Sequence, residues 1–175
     1  MKRTLYQFLL LLLLLTGCND PKPVTDALTR AEALMNEYPD SAWVVLNTLS
    51  PDEMGQSRTR AHYALLYTQA QDKTYRDETN DSLISIAVDY YRHTDDARRK
   101  FLSCYYKGRV MVNAGESIKA MLSFLEAESL CEEVNDDYLL GLLYTQIGVV
   151  YKEYYDYLRS LEMFQKSAFS YERAG

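Results

Sequence analysis

The stretch YYKGRVMVNAGESIKAMLSFLEA, residues 105–127, places glycine where the apolar side of a helix should lie. Helical spacing puts Cys104, Gly108 and Met111 on one stripe at i, i+4 and i+7. It puts Ala120, Phe124, Ala127 and Cys131 on a second stripe. Between the two, Gly115 suits the left-handed backbone that closes a helix. Two helices joined there would approach closely through their small residues, with Phe124 filling the space beside Gly108. Such a pair keeps one apolar side uncovered, so pairs have to stack on one another.

Outward from this stretch the periodicity stays helical. From Val24 onward it predicts helices over about 24–37, 41–49, 57–72, 82–94, 97–114, 116–132, 138–153 and 157–173. Pro39-Asp40-Ser41, Pro51-Asp52, Asn80-Asp81-Ser82 and Asn135-Asp136-Asp137 are helix-starting signals between them. No stretch shows sustained strand alternation, and 7 Gly and 4 Pro are too few for a chain of many tight β-turns. The expected fold class is all-α. The 16 tyrosines suit half-buried helix faces and contact surfaces, because the ring is apolar and the hydroxyl reaches water.

The pattern repeats. An offset of 40 residues places Gly108 on Gly148, Cys104 on Tyr144, Met111 on Tyr151, Ala120 on Ser160, Phe124 on Phe164 and Ala127 on Ser167. This resembles the tetratricopeptide repeat (TPR), whose pattern is W-x2-L-G-x2-Y followed by A-x3-F. Tyr144, Ile147, Gly148, Tyr151, Ser160 and Phe164 carry the resemblance most closely. Earlier in the chain, Tyr63, Ala64 and Tyr67 align with the L-G-x2-Y positions, and Ala42 and Leu46 with the small and Phe positions. The resemblance covers about residues 24–173 and implies a solenoid of about four helix pairs. Gly108, Ala120, Phe124, Ala127, Gly148, Tyr151 and Phe164 would be its packing residues.

The N-terminus carries a second signal. Lys2 and Arg3 precede an apolar run from Leu5 to Leu15 that is too short to span a bilayer, the form of a secretory leader. Leu15-Thr16-Gly17-Cys18 resembles the bacterial lipobox. That resemblance implies a signal peptide over residues 1–17, lipidation of Cys18, and a tether over 18–23 leading into the helical domain, 24–175. Several acyl chains on Cys18 would anchor the protein stably to a bacterial membrane, on its periplasmic face or at the cell surface. Removing Lys2 and Arg3 from the 19 basic residues leaves 17 against 25 acidic ones, a net −8. An acidic chain argues against nucleic acid as a partner.

Catalytic and metal-binding patterns do not emerge. His62 lacks a second ligand at helical spacing, His93 has only Asp89 at i−4 and Asp96 at i+3, a weak set, and both read as solvent-side histidines. Asp77–Ser82 lacks the glycine and terminal acid of a calcium loop. Asp95-Asp96, Glu132-Glu133 and Asp136-Asp137 fall at helix ends, where carboxylates satisfy free amides. No nucleophile–base set, phosphate loop or cofactor motif stands out, so the expectation is a non-enzyme without cofactor or metal. Cys104 and Cys131 are read either as buried apolar thiols or, in an oxidising compartment, as a disulfide.

The TPR resemblance also implies a partner-binding groove lined by the fifth, ninth, twelfth and thirteenth positions of each first helix. Here these are Tyr105, Arg109, Val112 and Asn113, then Thr145, Val149, Lys152 and Glu153. The family's chaperone-tail clamp has Lys and Asn where this chain has Tyr105 and Arg109, so a different protein or peptide is expected. The last helix carries Leu161, Phe164, Ala168 and Tyr171 with no polar cap after it, which predicts self-association, a docked partner or a truncated reading frame. The chain also resembles the TPR sensor portion of membrane-bound helix-turn-helix regulators. Sensing, or the binding of a glycan or other small ligand, is the alternative to a scaffold.

Overall fold

The computed structural model describes residues 20–175. The expected leader, the Cys18 lipidation site and Asn19 of the tether lie outside the described residues. Within them the chain is all-α. Its helices are α1 (Lys22–Leu34), α2 (Pro39–Leu46), α3 (Ser57–Lys73), α4 (Ser82–Tyr91), α5 (Ala97–Asn113), α6 (Ser117–Glu128), α7 (Cys131–Val134), α8 (Asp137–Glu153) and α9 (Tyr157–Ala174). A short 3-10 turn, Pro51–Glu53, lies between α2 and α3. None of the described helices is long and apolar enough to cross a membrane.

Three of these helices are copies in length and spacing. α3, α5 and α8 each have 17 residues and begin at 57, 97 and 137. Each ends in the same turn, with a left-handed residue at Tyr75 (φ 56°), Gly115 (φ 73°) and Tyr155 (φ 61°). In all three the next amide reaches back five residues: Arg76 N–H to Gln71 O, Glu116 N–H to Met111 O and Asp156 N–H to Tyr151 O, at 2.9–3.0 Å. This is the Schellman closure, which satisfies carbonyls left free at a helix end. Asp96, Asp136 and Asp156 each cap the helix that follows, accepting from the amides of Arg99, Leu139 and Arg159.

The backbone repeat corrects one alignment. It places Thr68, not Ala64, at the position of Gly108 and Gly148, and it places Ile84 with Phe124 and Phe164. A four-residue shift keeps a side chain on nearly the same helix face, so periodicity alone does not separate the two registers. A larger residue at 68 is matched by a smaller one at 84.

Consecutive helices pack on one another: α1 on α2, α2 on α3, and so on through α5 on α6, then α6 on α8 and α8 on α9. The first helix of each pair also touches the next, α1 with α3, α3 with α5 and α5 with α8. α3 is therefore apolar on two sides. Tyr63, Leu66 and Ala70 join the core formed with α1 and α2, while Ala61, Ala64 and Leu65 join the core formed with α4 and α5.

Several boundaries differ from expectation by a few residues, and two of them have a visible cause. Helix 116–132 is broken after Glu128: the Ser129 hydroxyl donates to Glu126 O at 2.7 Å, and the Leu130 amide turns back to Ala127 O. α1 begins at Lys22, inside the expected tether, with proline in its first turn, where no amide is needed.

The close approach at the opening stretch is severe. A Cβ on Gly108 would clash with the ring edge of Phe124, which is fully buried. At Gly148 the equivalent Cβ would lie 2.9 Å from Phe164 Cε1.

Candidate interaction surface

The eight residues expected to line a groove are mostly engaged within the fold. Tyr105 is buried: its ring stacks on Phe101 at 6.4 Å and meets Tyr106 edge-on at 5.0 Å. It belongs to the core, because α6 and its Phe124 cover that side of α5. Arg109 donates through Nε to Asp72 Oδ1 at 2.8 Å and through Nη1 to Gln146 Oε1 at 2.7 Å. It is the middle rung of a ladder joining α3, α5 and α8. Val112 and Val149 are half-buried, and Asn113 donates to Glu78 O at 3.2 Å. Thr145 donates to Gly141 O at 2.9 Å and lies 2.7 Å from the Ser167 hydroxyl. Lys152 and Glu153 are exposed, the latter accepting from the Ser117 hydroxyl at 2.9 Å.

The open surface of the first helices lies on the same stripe but nearer their N-termini, seven residues before the expected positions. A groove of about 140 Å³ crosses α1, α3, α5 and α8, lined by Glu32, Lys73, Arg98, Leu102, Tyr138 and Leu142 among others. Arg98 and Tyr138 are 40 residues apart, as are Leu102 and Leu142. The repeat offset could have flagged both columns from the sequence. Arg98 also bonds Asp136 Oδ2 at 2.6 Å, tying α5 to the start of α8.

Beside this groove is a larger cavity of about 650 Å³ between α1, α3 and the junction of α4 with α5. Glu32 lines both spaces. Its Oε1 accepts from Arg99 Nη2 at 2.9 Å and its Oε2 lies 3.2 Å from His62 Nε2. Arg99 reaches on to Asp96 Oδ2 at 2.7 Å. The His62 imidazole and, after it, the Arg99 guanidinium hold the Glu32 carboxyl down to about 2, against the burial that opposes ionisation. His62 is thus a partner of Glu32 rather than a solvent-side histidine, a contact 30 residues apart that local spacing cannot reveal.

Cys104 and Cys131 are free, buried thiols in the folded chain. Burial pushes Cys104 up to about 12 and Cys131 up to about 11, so neither presents a thiolate at neutral pH. Among the described residues no group of three His, Cys, Asp or Glu side chains could hold a metal ion.

Exposed apolar residues collect on α6 and α9. Ile118 and Leu122 stand out from α6, and Leu158, Leu161 and Phe169 from α9. A mostly apolar hollow of about 350 Å³ separates α6 from the turn between α8 and α9, with Ile118, Leu122, Tyr151 and Tyr154 on its walls.

Comparison with protein-family models, with curated proteins and with solved structures yields no match.

Proposed function

We propose that the chain is a TPR-like solenoid of four helix pairs, anchored to a bacterial membrane through acyl chains on Cys18. Its role on this reading is to bind a protein or peptide without catalysis. The observation that carries the proposal is the groove shared by four first helices. It gathers an acid, two bases, two tyrosines and three leucines from residues up to 110 positions apart, Glu32 to Leu142. Arg and Tyr beside apolar side chains are the residue types that anchor protein contacts. The lipobox, together with the short apolar leader, supports the anchor.

Site-specific photo-crosslinking in cells tests this. A photoreactive residue at Lys73, Leu102 or Tyr138 should capture one common partner, and the same group at exposed Tyr75 should not. Equal capture from Tyr75, or none from the groove, overturns the proposal.

A second reading, ligand sensing, is favoured by the cavity beside Glu32. Its volume of about 650 Å³ is that of a small-molecule site, and tyrosines and threonines line it together with acidic and basic side chains. A glycan or other polar ligand is the class that such a lining suits. Calorimetric titration with soluble glycans separates the readings: saturable heat that is lost in Tyr90→Ala favours the sensor.

A further inference from the structure

Asp20 is fastened to a distant part of the chain. Its Oδ1 accepts from the backbone N–H of Gly55 at 2.5 Å and of Gln56 at 3.1 Å, the amides that lead into α3. The Thr59 hydroxyl and these two amides hold its carboxyl below the usual aspartate range. Pro21 follows, and its carbonyl already accepts from Val24 N–H at 2.9 Å. α1 therefore starts immediately after the clamp, and the stretch expected to act as a tether is folded from Asp20 onward.

This bears on the membrane. Only two residue steps separate Cys18 from Asp20, a reach of about 7 Å even when fully extended. The headgroup layer on each side of a bilayer is itself about 5–7 Å deep. An anchor at Cys18 uses up that reach within the headgroups.

We propose that Asp20 locks the domain in one orientation on the lipid surface. The end formed by Asp20, Lys22 and the start of α3 rests on the headgroups. The inference depends on the lipid-anchor reading above. Lys22, Arg58 and Arg60 are exposed at this end beside the exposed Asp52 and Glu53, so the short reach from Cys18, not net charge, brings it to the headgroups. The hairpin turn at Tyr75 lies a helix length away along α3, about 25 Å for 17 residues. Gln56 and Arg58, at this end, also line the cavity between α1 and α3. A partner or ligand thus meets this surface beside the bilayer, not on a domain swinging freely above it.

The experiment uses the full chain, processed in a bacterial host and placed in vesicles of phosphatidylethanolamine and phosphatidylglycerol. A fluorophore is attached through Arg58→Cys or through Tyr75→Cys, since the native Cys104 and Cys131 are buried. Nitroxide-labelled headgroups should quench the probe at 58 several-fold more than the probe at 75. Asp20→Ala should abolish the difference while the protein stays on the vesicles. Ten Gly/Ser residues inserted between Cys18 and Asp20, which leave the clamp intact, should abolish it too. Equal quenching at both positions in the acylated, otherwise unaltered chain overturns the fixed orientation and leaves the anchor standing. A difference that survives both changes also overturns it. Mass spectrometry showing no acyl chain on Cys18 overturns the anchor reading, and this proposal with it.

Discussion

Gly108 with Phe124 and Gly148 with Phe164 occupy the same place in two consecutive helix pairs, and they are built differently. In the inner pair Phe124 is fully buried and its small neighbours are Ala120 and Ala127. In the outer pair Phe164 is half-buried and the small positions are Ser160 and Ser167. Their hydroxyls donate to Gly148 O and Gly141 O, each at 2.9 Å. α6 lies between α5 and α8, whereas α9 packs mainly on α8. A helix covered on two sides gains most from apolar overlap. In the pair covered on a single side, the buried Ser160 and Ser167 hydroxyls are satisfied by carbonyls and take over part of that role. One spacing thus accommodates two kinds of contact.

The sharpest way to break this comparison is to fill both glycines. Gly108→Leu should cost more than about 3 kcal/mol or prevent cooperative folding, since the ring of Phe124 has nowhere to go. Gly148→Leu should cost about half as much, because Phe164 can swing toward solvent. Urea unfolding followed by circular dichroism measures both, and equal losses would refute the distinction. Truncating the rings asks the same question from the other side. Phe124→Ala should cost about 3–5 kcal/mol and Phe164→Ala about 1–2 kcal/mol.

Arg109 bridges the two regions. Arg109→Ala should cost about 1.5–3 kcal/mol, as expected for lost hydrogen bonds to charged groups. Amide exchange in α8 and α9 should rise more than in α1 and α2. Uniform acceleration along the chain would show that the ladder does not hold the outer pair on.

The turns offer a gentler test. Gly115 takes the left-handed conformation without strain, but Tyr155 pays about 1 kcal/mol for it. Tyr155→Gly should therefore stabilise the outer pair by up to about 1 kcal/mol, and Gly115→Tyr should destabilise the inner one by a similar amount. Thermal melts of the two variants check the signs.

The smallest expected effect concerns pH. The folded Glu32 carboxyl titrates at about 2, below its ordinary value of 4.5. Its contribution is complete above about pH 4.5 and is lost as pH falls toward 2. Because Glu32 is substantially exposed, solvent screening limits that contribution to under about 1 kcal/mol. Glu32→Gln should flatten the stability curve over this window alone, which acid titrations of the unfolding midpoint would reveal.

Much of the architecture was legible in advance. The eight expected helices appear within a few residues, because each apolar stripe and each capping aspartate is a local signal. The 40-residue offset also surfaced, carried by the glycines and phenylalanines of the last two pairs. The second pair was aligned one helical turn away, since Thr68 and Ile84 replace glycine and phenylalanine there. The left-handed tyrosines at 75 and 155 carry no residue signature, because tyrosine is an unlikely choice for that conformation.

The candidate surface was much less legible. Tyr105, expected in a groove, is core; Arg109, expected beside it, is a rung between Asp72 and Gln146. Glu32, His62 and Arg99 come together across 67 residues of chain, and Asp20 reaches Gly55 across 35. Residue order alone was enough to establish the helical class, the repeat length and the need for glycine beside phenylalanine, since those follow from spacing within a turn or a hairpin. Which stretch of each helix stays open depends on how neighbouring pairs stack. That stacking is set by the summed packing of side chains some 37 residues apart, and no local pattern encodes it.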